Sequence, residues 1–132
     1  MTTRRTLLAA SLLATPAAAQ PPDPIGPEWV VEDIGGRGIV DRSRVTIAFA
    51  GDGRAAGSDG CNRFAGGYTL AGAALSFSAL AGTRMACAPA LMEQEQRFHA
   101  ALAAVRGWRI ERGFLHLTDG AGATVLRASR GG

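Results

Sequence analysis

Lysine is absent from this chain: all fourteen basic residues among its 132 are arginine. That removes Schiff-base and amine-nucleophile chemistry outright. Together with the abundance of alanine and glycine, it reads as a compositional bias acting on every exposed cation. The isoelectric point near 9.6 belongs to the whole chain. Without Arg4 and Arg5, which fall in a leader-like segment, twelve arginines face eleven acidic residues. Aromatic residues are few, and no basic run carries interleaved aromatics of the kind a single-strand groove needs, so nucleic acid is not an expected partner. No apolar segment reaches the ~20 residues that cross a bilayer, so no membrane span is expected. There are only two histidines and two cysteines. With no acid–histidine pair read at metal-ligand spacing, neither a metal nor a cofactor is expected.

What is present begins with a leader. Arg4 and Arg5, the apolar stretch Leu7 to Leu13, and Ala17-Ala18-Ala19 form the charged, apolar and small-residue parts of a secretory signal over residues 1–19. Thr3-Arg4-Arg5-Thr6-Leu7-Leu8 also resembles a twin-arginine export signal. No cysteine precedes Cys61, so the acylated cysteine of a lipoprotein is missing and a periplasmic or secreted product is expected. Four prolines within residues 20–27 read as an extended linker. The folded domain is placed at 28–130, with room for one core.

In an oxidising compartment two cysteines in one small domain are expected to pair, here Cys61 with Cys87, provided the geometry allows it. A free Cys61 with Asp59, His99 or His116 as base would instead make a thiol enzyme. The two readings exclude each other. His99 and His116 otherwise read as half-exposed surface residues.

Trp29-Val30-Val31 reads as a strand, Gly35 to Gly38 as a turn, and Val45 to Phe49 as a strand with Val45, Ile47 and Phe49 on one face. Gly51-Asp52-Gly53, with Gly57 nearby, reads as a turn, since no helix follows to make it a phosphate loop. Gly67 to Leu70 and Ala74 to Phe77 read as a hairpin. Pro89 then opens a helix bearing the stripe Leu91, Phe98, Leu102 and Val105, with Glu93 and Glu95 as first-turn charges and Gly107 as its stop. Trp108 to Ile110, Phe114 to Leu117 and Thr124 to Leu126 complete the strands.

One segment is more specific. Gly60-Cys61-Asn62-Arg63-Phe64, with Gly66 and Tyr68, followed by Thr83-Arg84-Met85 and Cys87, resembles the paired boxes of the META-domain family, which includes the heat-shock protein HslJ. The resemblance covers roughly residues 28–130. It implies an α+β fold: an antiparallel β-meander curled into a partial barrel, with one helix packed against it. It implies an association with envelope stress and no established reaction.

The box residues read as mainly structural. Asn62 can tolerate a left-handed turn conformation and bond nearby backbone, Gly60 and Gly66 permit tight turns, and Tyr68 can bury its ring while its hydroxyl finds a partner. Arg63, Tyr68 and Arg84 are the candidates for binding, Arg84 as a clamp on carbonyls or a carboxylate. The expected function is that of a monomeric, non-enzymatic module binding an envelope protein. A carrier of a small apolar ligand or lipid in a barrel pocket is the alternative, and the thiol enzyme a more distant one.

Overall fold

The computed structural model describes residues 23–131. The signal-peptide reading and the first three linker residues lie outside that range.

Nine strands and one helix follow the order β1 (Glu28–Ile34), β2 (Arg37–Gly38), β3 (Val45–Phe49), β4 (Arg54–Asp59), β5 (Arg63–Ala71), β6 (Ala74–Gly82), α1 (Pro89–Ala104), β7 (Gly107–Glu111), β8 (Phe114–Thr118) and β9 (Thr124–Arg130). All the strand pairs are antiparallel, in the order β2-β1-β3-β4-β5-β6-β7-β8-β9, and β1 also pairs with β9. The sheet therefore forms a ring, and the fold is the α+β partial barrel that the family resemblance implies. Alternation explains it: Trp29, Val31, Val45, Ile47, Phe49, Leu115, Leu117, Leu126 and Ala128 are buried on one face, as a sheet with a single packed side requires.

The ring is weakest between β6 and β7, where the only strand register is Ala74 opposite Gly107. Along the rest of β6 the edge away from β5 has no strand partner among the described residues. Helix α1 lies over this gap and inserts Phe98 and Leu102 into the core.

Several expectations need correction. The helix starts at Pro89, so Glu93 and Glu95 lie beyond its first turn. Glu93 reaches Arg37 at 3.7 Å instead. The helix ends at Ala104 with extended Val105 as its cap, and Gly107 opens β7. Leu91 is only half-buried, while Gln94 takes the stripe position in the core. The last residues of the 20–27 linker pack against the domain. Pro24 is buried and its carbonyl accepts the Trp29 indole N–H at 2.9 Å, while Gly26 N donates to Phe49 O.

Strand β4 was not expected. Its sequence, Arg-Ala-Ala-Gly-Ser-Asp, lacks bulky alternating side chains, yet it pairs with both β3 and β5. Gly57 explains the close approach, because a Cβ there would sit 2.0 Å from the Thr46 carbonyl oxygen. Gly57→Ala is expected to lower the unfolding free energy by about 2 kcal/mol, the scale of an overpacked site. Denaturant titration would detect this, and an unchanged midpoint would mean that β3 and β4 can separate at little cost.

Candidate functional site

The first box forms the sharp turn between β4 and β5. Gly60 supplies the left-handed backbone, with φ of 95°. It must also stay small, since a Cβ there would meet the Gln94 amide nitrogen at 2.6 Å. Asp59 is 1% exposed at its side chain and organises the turn. Its Oδ1 accepts the backbone N–H of Cys61 at 2.9 Å and of Asn62 at 2.6 Å. Gln94 accepts Val40 N at 2.7 Å through Oε1 and donates from Nε2 to Ser43 Oγ and to Asp59 O. Helix, loop and turn are thereby joined by one buried amide.

Asn62 links the two boxes. Its Oδ1 accepts Thr83 Oγ1 at 2.8 Å and Met85 N at 2.6 Å, while Nδ2 donates to Met85 O at 3.2 Å and to Glu95 Oε2 at 2.9 Å. Asn62 does not use the left-handed conformation open to it, since it is not among the positive-φ residues, and its oxygen and backbone-amide partners are remote in sequence. A buried primary amide has two donors and an acceptor to satisfy, and a neighbouring segment with free backbone groups satisfies them. The Cys61–Cys87 disulfide ties the same two segments covalently, with Cα atoms 6.0 Å apart. Cys61 therefore has no thiol in this state. Gly66 is not at a turn but within β5, where a Cβ would lie 2.6 Å from Leu80 Cδ2 and 2.7 Å from Ala79 O.

These residues stand at one end of an open cleft of about 840 Å³ between β6 and α1. Its walls include Phe77, Leu80, Met92 and Leu102, and its polar end includes Asp59, Asn62, Glu95 and His99. Met85 and Met92, the large hydrophobic side chains most open to solvent among the described residues, both line it.

His99 Nε2 lies 3.0 Å from Asp59 Oδ2. Its ring is held edge-on against Phe64 and Phe98, with centroids 5.4 Å and 5.3 Å away. It is therefore a partnered side chain and not simply a surface residue. Burial pushes the Asp59 carboxyl up, but hydrogen bonds from the Asn62 amide, Glu95, His99 and the Cys61 amide outweigh it and hold the group below its ordinary value. Sequence inspection missed that Glu95 and His99, four residues apart, share one helix face. That spacing was the available signal. Asp59 joins them only through the tertiary fold.

The other candidates are dispersed. Arg84 is exposed and lines the same cleft, whereas Arg63 lines a separate groove with Glu28 and Thr46. Tyr68 turns its hydroxyl to Ala50 O and packs edge-on against Phe49 at 5.1 Å. Burial, then Asp52 and Asp23, raise its pKa. His116 sits away from the cleft on β8. Burial and Arg109 lower its pKa, with Arg127 adding to them and Glu111 opposing.

Comparison with known proteins places this geometry in context. The sequence profile described as the META domain matches residues 24–131. No curated protein matches the chain. A protein from Burkholderia xenovorans solved by NMR is 26% identical, with a TM-score of 0.63 over 94% of this chain and 99% of that one. Another NMR structure is 29% identical, with a TM-score of 0.61 over 77% and 87%. A DUF4847 family protein from Bacteroides vulgatus shares the fold at 18% identity and a TM-score of 0.50, over 64% of this chain and 57% of that one.

Proposed function

Since the chain belongs to the META domain family, we propose that it is a non-catalytic interaction module of the periplasm that takes an extended segment of an envelope protein along the open edge of β6. The observation that carries this reading is the strand pairing of β6, which meets β7 only at Ala74. Thr83 N bonds Arg63 O, so by antiparallel alternation the backbone groups of Gly82 and Leu80 point away from β5 toward the free edge. An unpaired edge beside an apolar helix wall suits β-strand addition: main-chain bonds give affinity, and the pockets between Phe77, Leu80 and Met92 take alternate side chains. Exposed methionines at the rim adapt to varied partners.

The periplasmic assignment is supported by the leader-like sequence and by the disulfide, which persists in an oxidising compartment. A role in envelope stress rests on the family alone. The carrier reading meets a filled barrel interior, where Trp29, Phe49, Phe98 and Leu115 are fully buried. An apolar ligand would have to use the cleft instead.

The test is site-specific photo-crosslinking in the periplasm, with benzoylphenylalanine at Ala81 or Met92 and at Arg112 as a distant control. The expected result is adducts from the first two positions that map to one short segment of a partner. A synthetic peptide of that segment should then slow amide exchange at Leu80 and Gly82. Adducts of lipid mass would replace this reading by the carrier, and equal labelling from Arg112 would remove the groove from consideration.

A further inference from the structure

We propose that Asp59, Glu95 and His99 form a site for one divalent transition-metal ion at the polar end of the cleft. Each residue offers one ligand atom, and these atoms all lie within 4.8 Å of one another. Two carboxylates and an imidazole are a ligand set suited to Zn²⁺ and its neighbours.

The supporting contacts separate this cluster from a chance grouping of acids. Asp59 commits Oδ1 to two backbone amides, which leaves Oδ2 for the site. Glu95 Oε2 is held by Asn62, whose amide is itself fixed by Thr83 and Met85. The His99 ring is wedged against Phe64 and Phe98 with Nε2 toward Asp59. Every ligand thus has a partner that orients it, as metal sites require. Tetrahedral Zn²⁺ with bonds near 2.0–2.1 Å sets its ligand atoms about 3.4 Å apart. The Asp59–His99 contact at 3.0 Å would open slightly.

Charge balance points the same way. Asp59 is almost fully buried and a Glu95 carboxylate oxygen lies within 4.8 Å of it, so two carboxylates converge beside one imidazole. A dication takes the place of the proton between Asp59 Oδ2 and His99 Nε2 and neutralises both acids. The half-exposed face of the site opens into the cleft, so water or a group from a bound segment completes the coordination.

The test is calorimetric titration of the full chain with ZnCl₂, purified without reductant so that Cys61 and Cys87 stay bonded. One Zn²⁺ per chain is expected. Glu95→Gln and His99→Gln should each weaken binding by about 10-fold or more, and His116→Gln should leave it unchanged. NMR of the wild type gives a second readout that needs no variant to fold, with shifts centred on Asp59, Asn62, Glu95 and His99. No saturable heat, binding that survives both substitutions, or shifts centred elsewhere would each overturn the proposal.

Discussion

Replacing Cys61 and Cys87 together by serine is expected to lower the unfolding free energy by about 3.5 kcal/mol, the loop-closure entropy of the enclosed segment. The bond spans 26 residues, a loop that includes β5, β6 and the Thr83–Met85 box. Without it the unfolded chain regains freedom, while the native contacts of Asn62 to Thr83 and Met85 can persist. A domain of this size should then melt about 15 °C lower. Calorimetry of the double variant beside the wild type measures this. A shift of only a few degrees would show that the unfolded state already holds the two boxes together, in which case Asn62 carries the connection alone.

Asp59→Ala is expected to cost about 3 kcal/mol, because it leaves two buried amides and His99 without their acceptor. Asp59→Asn separates shape from charge. The folded-state pKa of Asp59 lies below its ordinary value of 3.8. Its charge-dependent stabilisation is therefore fully present above that value and is lost as pH falls through the lower folded value. The stability gap between wild type and Asp59→Asn should accordingly narrow as the pH falls below about 4. A gap of constant width down to pH 2 would mean that the carboxylate charge contributes nothing at this site. Because Asp59 and Cys61 share one turn, the two predicted losses should not add when combined.

The family boxes were visible in the sequence because turn and cross-link chemistry needs particular residue types: a glycine where φ is positive, two cysteines and a side-chain amide. Strands such as Val45–Phe49 and the helix after Pro89 were visible for a different reason. Their burial follows a period of two or of 3.6, and a hydrophobicity pattern records it. Strand β4 was not visible, since its place between β3 and β5 depends on the smallness of Gly57 and on main-chain bonds that leave no mark on side-chain pattern. Gln94 was hidden because a buried amide has the composition of an exposed one. It is in the core because Val40, Ser43 and Asp59 satisfy it there.

The polar end of the cleft was only half visible. Glu95 and His99 share a helix and could be paired by counting, but Asp59 reaches them only when the β4–β5 turn folds under α1. Arg63, Tyr68 and Arg84 were selected by residue type. The fold sends them in different directions because Arg63 and Tyr68 stand at separate positions along β5 and Arg84 lies in the loop after β6.

The pairing of β1 with β9 also governs when the domain can exist. Trp29 sits opposite Arg130 and Ile34 opposite Leu126, so the first strand waits for the last. While residues 124–130 are still being synthesised, β1 and β8 each lack one of their neighbours and Trp29 has no finished core to enter. The barrel cannot assemble progressively from its N-terminus. Ring closure therefore waits for the last strand of the chain.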